Sequence, residues 1–196
     1  MAQVKAASQR RSAKHLNIWE GKKVRLRSME PEDWQVFHEN DRDSEAARAA
    51  HMIYFPRSAA GTKAWSEQQA TQDAEGDNKM LVIETVEGVV VGNINSHSCD
   101  PRQGVMKYGL GVFAEHRQQG YASEAIRLLL RYYFEELRYE KCVAHVYAFN
   151  TASCLLHERL GFTKEGVLRS MIYTEGKRYD EYIYGMLREE FQGDFA

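Results

Sequence analysis

Apolar and polar residues change their period several times along the chain, and each change marks an element. Val24, Leu26 and Met29 alternate with Lys23, Arg25 and Arg27, which predicts a first strand. Pro31 followed by Glu32 and Asp33 predicts a helix start, with Trp34, Phe37 and His38 as its apolar stripe. Residues 41–60 carry no clear period and read as irregular, with His51, Met52, Tyr54, Phe55 and Pro56 in an aromatic-rich loop. A polar helix is predicted over 61–75, stopping near Gly76. The pattern then turns to strands. Met80–Val86 and Val89–His97 flank a tight turn at Glu87-Gly88, and Val105–Phe113 follows a second turn at Cys99–Gly104.

The strongest helical pattern spans 120–137. Ala122, Ala125, Ile126, Leu129, Leu130, Tyr133 and Phe134 fall on one face; Ser123, Glu124, Arg127, Arg131 and Glu135 fall on the other. A buried strand is predicted over 141–149 and a short helix over 151–160, stopped by Gly161. Two strands, 166–174 and 178–187, close the chain around Glu175-Gly176-Lys177. The order β-α-α-β-β-β-α-β-α-β-β predicts an α/β domain with a mixed sheet, antiparallel hairpins and one helical crossover.

A length of 196 residues suits one domain. Residues 1–17 read as a disordered basic tail and 18–196 as the domain. The tail holds Lys5, Arg10, Arg11 and Lys14 and no acid, so removing its +4 from the net −2 leaves −6 on the body. A mildly acidic body favours cationic over anionic small molecules, and it argues against a nucleic-acid partner. No stretch approaches the ~20 apolar residues of a membrane span, and the N-terminus lacks an apolar signal region. Cys99, Cys142 and Cys154 are odd in number and show no CxxC spacing. They read as free thiols of a cytoplasmic protein.

One stretch carries chemistry. An apolar strand ends at Phe113, a loop reads Arg117-Gln118-Gln119-Gly120-Tyr121-Ala122-Ser123, and the long helix begins. Gly120 permits a tight turn and close approach of a ligand. The free N–H groups of the helix start form an anion site suited to a pyrophosphate. About 30 residues later comes Asn150-Thr-Ala-Ser153-Cys-Leu-Leu-His157-Glu-Arg-Leu-Gly161-Phe162. This pair of motifs resembles the GNAT superfamily of acetyl-CoA-dependent N-acetyltransferases. Glu165-Gly166-Val-Leu-Arg169 and Tyr179-Asp180 are similar to the branch that acetylates ribosomal-protein N-termini and spermidine.

The resemblance implies a mostly antiparallel twisted sheet, flanked by helices and splayed between its fourth and fifth strands. It implies that the pantetheine arm of acetyl-CoA lies in that gap, held by backbone groups near Val112 and Phe113. Arg117, Gln118, Gln119, Gly120, Tyr121, Ala122 and Ser123 would cradle the pyrophosphate, with Asn150 and Ser153 facing the arm and sulfur. The acceptor would be a primary amine, either a protein N-terminus or a small amine such as a polyamine. No metal is implied, and a homodimer is compatible with the family.

Direct acetyl transfer needs three things: a base for the ammonium, a donor for the oxyanion and a donor for the departing thiolate. The chain departs from the family twice. His157 stands seven residues after Asn150, where many relatives place a sulfur-protonating Tyr, so His157 and Ser153 are equal candidates for the donor, the alternative being that neither serves. Lys107 stands where a basic Glu is common, and a Lys serves as base only with a strongly lowered pKa. The base is then elsewhere, with Glu84, His97 and Asp100 as candidates, or it is a water chain. These departures also motivate a rival reading, a non-catalytic acyl-CoA-binding or regulatory domain of the same fold. Tyr54, Phe55, Tyr173, Tyr179, Tyr182 and Tyr184 are candidates to line the substrate mouth. Asp41, Asp43, Glu45, Asp73, Glu75 and Asp77 are candidates to attract a polyamine.

Overall fold

A computed structural model describes residues 17–50 and 53–193. The expected tail and the pair His51–Met52 of the aromatic-rich loop lie outside the described residues, apart from Asn17. Seven strands form one sheet: β1 Val24–Arg27, β2 Met80–Thr85, β3 Val90–Asp100, β4 Val105–Val112, β5 Lys141–Tyr147, β6 Thr163–Thr174 and β7 Lys177–Leu187. Their order is β1-β2-β3-β4-β5-β7-β6. Only β4 and β5 pair in parallel, because a helix carries the chain between them. The helices are α1 Trp34–Asn40, α2 Ser44–Ala50, α3 Ala59–Thr71, α4 Tyr121–Arg131 and α5 Thr151–Arg159.

Each face of the sheet has its own core. On one face α4 sets Ile126, Leu129 and Leu130 against Val24, Ile83, Ile94 and Met106, and the residues of α5 join the same cluster beside Ala144 and Val146. Burying each large apolar side chain of this kind contributes roughly 1.5–3 kcal/mol. On the other face Phe37 and Trp65, from α1 and α3, pack with Met29, Val82 and Phe113. Phe37 meets the ring edges of Trp65 and Phe113 at 5.6 and 5.5 Å. β3 and β4 approach so closely that a Cβ on Gly92 would stand 2.0 Å from the Gly111 carbonyl oxygen. Only glycine fits there.

Three expectations change. The 41–60 stretch is not irregular throughout, since Ser44–Ala50 is helical. Its alanines favour helix, and Asp43 Oδ1 accepts from the N–H groups of Glu45 and Ala46 at 3.0 Å each. The long helix stops at Arg131 and passes into a π-helical turn over Tyr132–Glu136. Glu124, assigned to the polar face by its spacing, is only 9% exposed. Its carboxylate accepts from the N–H groups of Lys22, Lys23 and Val24 at 2.9, 2.7 and 2.7 Å. Three charge-assisted hydrogen bonds compensate its burial and fix the start of β1 against α4. Among the described residues no helix is long and apolar enough to cross a membrane.

Candidate active site

The β4–β5 ladder has three rungs, Val105 to Lys141, Met106 to Cys142 and Lys107 to Val143. Beyond them the strands part, as the resemblance implied. Along an antiparallel pair, alternate residues turn their peptide groups to the same neighbour. Phe113 N–H donates to Val91 O at 2.9 Å, so that group belongs to β3. Of the backbone groups near Val112 and Phe113 expected to hold the arm, the Phe113 N–H is therefore taken up by β3. By the same alternation Leu110 and Val112 turn their peptide groups toward it, and Leu110 was not anticipated.

The wide end of the gap meets the start of α4. Gln118 and Gly120 have left-handed φ values of +61° and +85°. Such alternation aims successive N–H groups into one concavity. α4 begins there with no side-chain cap on its free N–H groups. Lys23 Nζ donates to Gln119 O at 2.9 Å, and a Cβ on Gly120 would stand 2.9 Å from that ammonium. Arg117 Nε donates to Val112 O at 3.1 Å. Tyr121 OH donates to Gln119 Oε1 at 3.0 Å and braces the loop. An uncapped helix start, a left-handed glycine and two cations fit a pyrophosphate. Lys23 escaped the sequence reading because it lies 96 residues from Gln119.

Asn150 ties two helices together. Its Oδ1 accepts from Ser153 N–H at 3.1 Å, and its Nδ2 donates to Ala49 O at 3.2 Å. It therefore caps α5 and ties α2 to it. Ser153 stays partly exposed on the first turn of α5.

His157 is 2% exposed. Nδ1–H donates to Ser153 O at 2.7 Å, which leaves Nε2 to accept from Tyr108 OH at 2.8 Å. The ring stacks between Tyr108 and Tyr184 at 5.9 and 5.5 Å. Burial lowers the His157 pKa, only partly opposed by the Ser153 carbonyl, so the ring is held neutral. Burial also pushes the Tyr108 phenol well above its ordinary range. His157 has no free proton on Nε2 to give, and Tyr184, a candidate for the mouth, lies in the core instead.

The sequence candidates for the base are engaged as well. Glu84 lies between the guanidiniums of Arg25 and Arg27. Burial tends to raise its pKa, but the two hydrogen-bonded cations outweigh that and lower it. A carboxylate so held is a poor base. Asp100 accepts from the N–H groups of Arg102 and Gln103 at 3.0 and 3.1 Å and so makes a turn. His97 lies on the exposed face, its pKa lowered by burial and by nearby Lys107 and His145.

On that face Tyr147, Phe149 and Tyr179 form an aromatic run, with centroids 5.5 and 4.9 Å apart. Burial, then Glu181 and Tyr54, raise the Tyr147 phenol, which marks those two as its neighbours. Phe55, by contrast, is 99% exposed. The acids proposed as a polyamine lure are partly spent: Asp43 caps α2, Glu45 pairs with Arg48, and Asp77 Oδ2 accepts from Tyr139 OH at 2.6 Å. Among the described residues no group of three or more His, Cys, Asp or Glu is placed to hold a metal.

A splayed parallel pair thus leads to an uncapped helix start, and sequence comparison shows the family that carries this fold. The model of the acetyltransferase (GNAT) domain matches residues 23–163, and the chain belongs to that family. It is 40% identical over 177 residues to the SPbeta prophage-derived uncharacterized N-acetyltransferase YokL of Bacillus subtilis, covering 90% of this chain and 97% of that protein. A GNAT-family acetyltransferase from Bacillus anthracis superposes with a TM-score of 0.72 at 25% identity, covering 87% of this chain and 98% of the other. Spermidine N-acetyltransferase from Vibrio cholerae, solved with CoA and spermine, shares the fold with a TM-score of 0.74 at 20% identity, over 87% and 98% of the two chains. The protein is thus an acetyl-CoA-dependent acyltransferase.

Proposed function

We propose that the protein transfers an acetyl group directly to a primary amine that enters from the exposed face of the gap, and that a peptide α-amine suits it better than a polyamine. The observation that carries this reading is the β4–β5 gap itself, whose last rung is Lys107 to Val143 and whose wide end opens on the uncapped start of α4. Bound acetyl-CoA would supply the activated thioester. Leu110 and Val112 would hold the arm and donate to the developing oxyanion. Arg117, Lys23 and the N–H groups of residues 118–123 would hold the pyrophosphate. Ser153 is the proton donor to sulfur in this reading, because both nitrogens of His157 are engaged.

The choice of acceptor rests on charge. A polyamine needs several acids spaced along its length, and Asp43, Glu45 and Asp77 already have partners. An α-amine presents one cation and ionises near pH 7.7–8.0, so it is the easier group to deprotonate. Thiol release from acetyl-CoA, measured with a peptide panel, spermidine and an aminoglycoside, tests the reading. Turnover with peptides above the other amines is expected. Preference for spermidine would overturn the acceptor assignment, and tight acetyl-CoA binding without thiol release would overturn amine acetylation.

A further inference from the structure

β5 turns Cys142, Ala144 and Val146 into the core, so Val143, His145 and Tyr147 point to the opposite, exposed face. His145 stands two residues beyond the last rung of the β4–β5 ladder. That is about 6.6 Å along the strand, at roughly 3.3 Å per residue. Were the ladder to continue, its partner would be Gly109, which has no side chain to block the space between them. The narrow end of the gap therefore opens beside this imidazole.

Glu181 of β7 reaches the same place. Its Oε1 lies 3.4 Å from His145 Nδ1, and the two side chains are 10% and 33% exposed. The other titratable groups around this face, among the described residues, include Lys107 of β4, His97 of β3, the phenol of Tyr147 with Tyr54 beside it, and the ion pair of Lys141 on β5 with Glu165 on β6 at 2.7 Å. No carboxylate stands at position 107, where the family often keeps its base. A nearly buried carboxylate facing Nδ1 favours the tautomer protonated there, which leaves the Nε2 lone pair free.

We propose that His145, oriented by Glu181, is the general base that deprotonates the acceptor ammonium. This rests on the amine-acetylation reading. The ammonium gives one proton to His145 Nε2, which passes it to solvent. The freed nitrogen lone pair forms the C–N bond to the acetyl carbon. As the C–S bond breaks, the nitrogen's second proton moves through the Ser153 hydroxyl to the sulfur. Ammonium and thioester thus become amide, thiol and one released proton.

The test compares the wild type with His145→Gln and Glu181→Gln, using acetyl-CoA and the best peptide acceptor. His145→Gln is expected to lower kcat/KM on the order of 100-fold and to abolish its acid limb, with the acetyl-CoA Kd and the melting temperature unchanged. Glu181→Gln, which removes the carboxylate facing Nδ1, is expected to lower kcat about tenfold with the acetyl-CoA Kd and the peptide KM unchanged, and Glu181→Asp to restore part of it. A His145→Gln enzyme with kcat/KM within threefold of wild type and an unchanged acid limb would overturn the proposal, as would a Glu181→Gln enzyme with wild-type kcat. Wild-type protein that binds acetyl-CoA but acetylates no amine would overturn the underlying reading, and the base with it, without recourse to either variant.

Discussion

The two faces of the sheet at the β4–β5 gap are built on opposite principles. On the α5 face, Tyr108, His157, Phe162 and Tyr184 are buried and their rings are in contact. The polar atoms of His157 are satisfied inside the protein. On the other face, Lys107, His145 and Tyr147 keep contact with solvent, and Gly109 leaves the floor open. Of the histidines near the gap, His157 has both nitrogens engaged inside the protein, while His145 and His97 face the open side. Burial converts a titratable ring into a packing element when both nitrogens find partners.

The largest expected effect lies where the faces meet the phosphate loop. Gly120→Glu should weaken acetyl-CoA binding at least ~100-fold by calorimetry, since it adds like charge and a strained left-handed residue. Unchanged affinity would remove this loop from the site. Ser153→Ala should lower kcat on the order of 100-fold with little change in acetyl-CoA affinity. If it keeps wild-type kcat while His157→Leu loses it, the proton donor belongs to the closed face and the contrast collapses.

Stability should separate the faces in the reverse sense. Tyr108→Phe leaves His157 Nε2 buried without its donor and should cost about 1–3 kcal/mol in urea unfolding. His145→Gln should change stability by less than about 0.5 kcal/mol. The smallest effect concerns pH. Because burial lowers the folded-state pKa of His157, its contribution is complete above the ordinary imidazole value of about 6.5. It declines as pH falls below that value toward the folded-state pKa. The loss in urea midpoint between pH 7.5 and 5.5 should therefore be smaller in His157→Leu than in wild type. An equal loss would show that the ring protonates in place without strain.

The turn expected to cradle a pyrophosphate is readable because its parts are contiguous: Arg117, Gly120, Ala122 and the start of α4 fall within six residues. The spacing of Asn150 and Gly161 marked α5 for the same reason. Glu124 was misread because helical spacing places it opposite Ile126 and Leu130, while its three partners come from residues 22–24. Helix α2 was missed because seven residues are too few for a period to declare itself. His145 was passed over because an alternating strand does not say what stands opposite each exposed residue.

Local pattern in the sequence settles the single crossover, the family and every main element but α2. These depend on local period, turn chemistry and short motifs, which neighbouring residues carry. Only the tertiary structure decided which titratable groups remain available. His157 and Glu84 are silenced by Tyr108, Arg25 and Arg27, and His145 is joined to Glu181, in each case across strands or between strand and helix. Proton chemistry depends on desolvation and on partners within a few ångströms, and chain folding, not spacing along the chain, sets both.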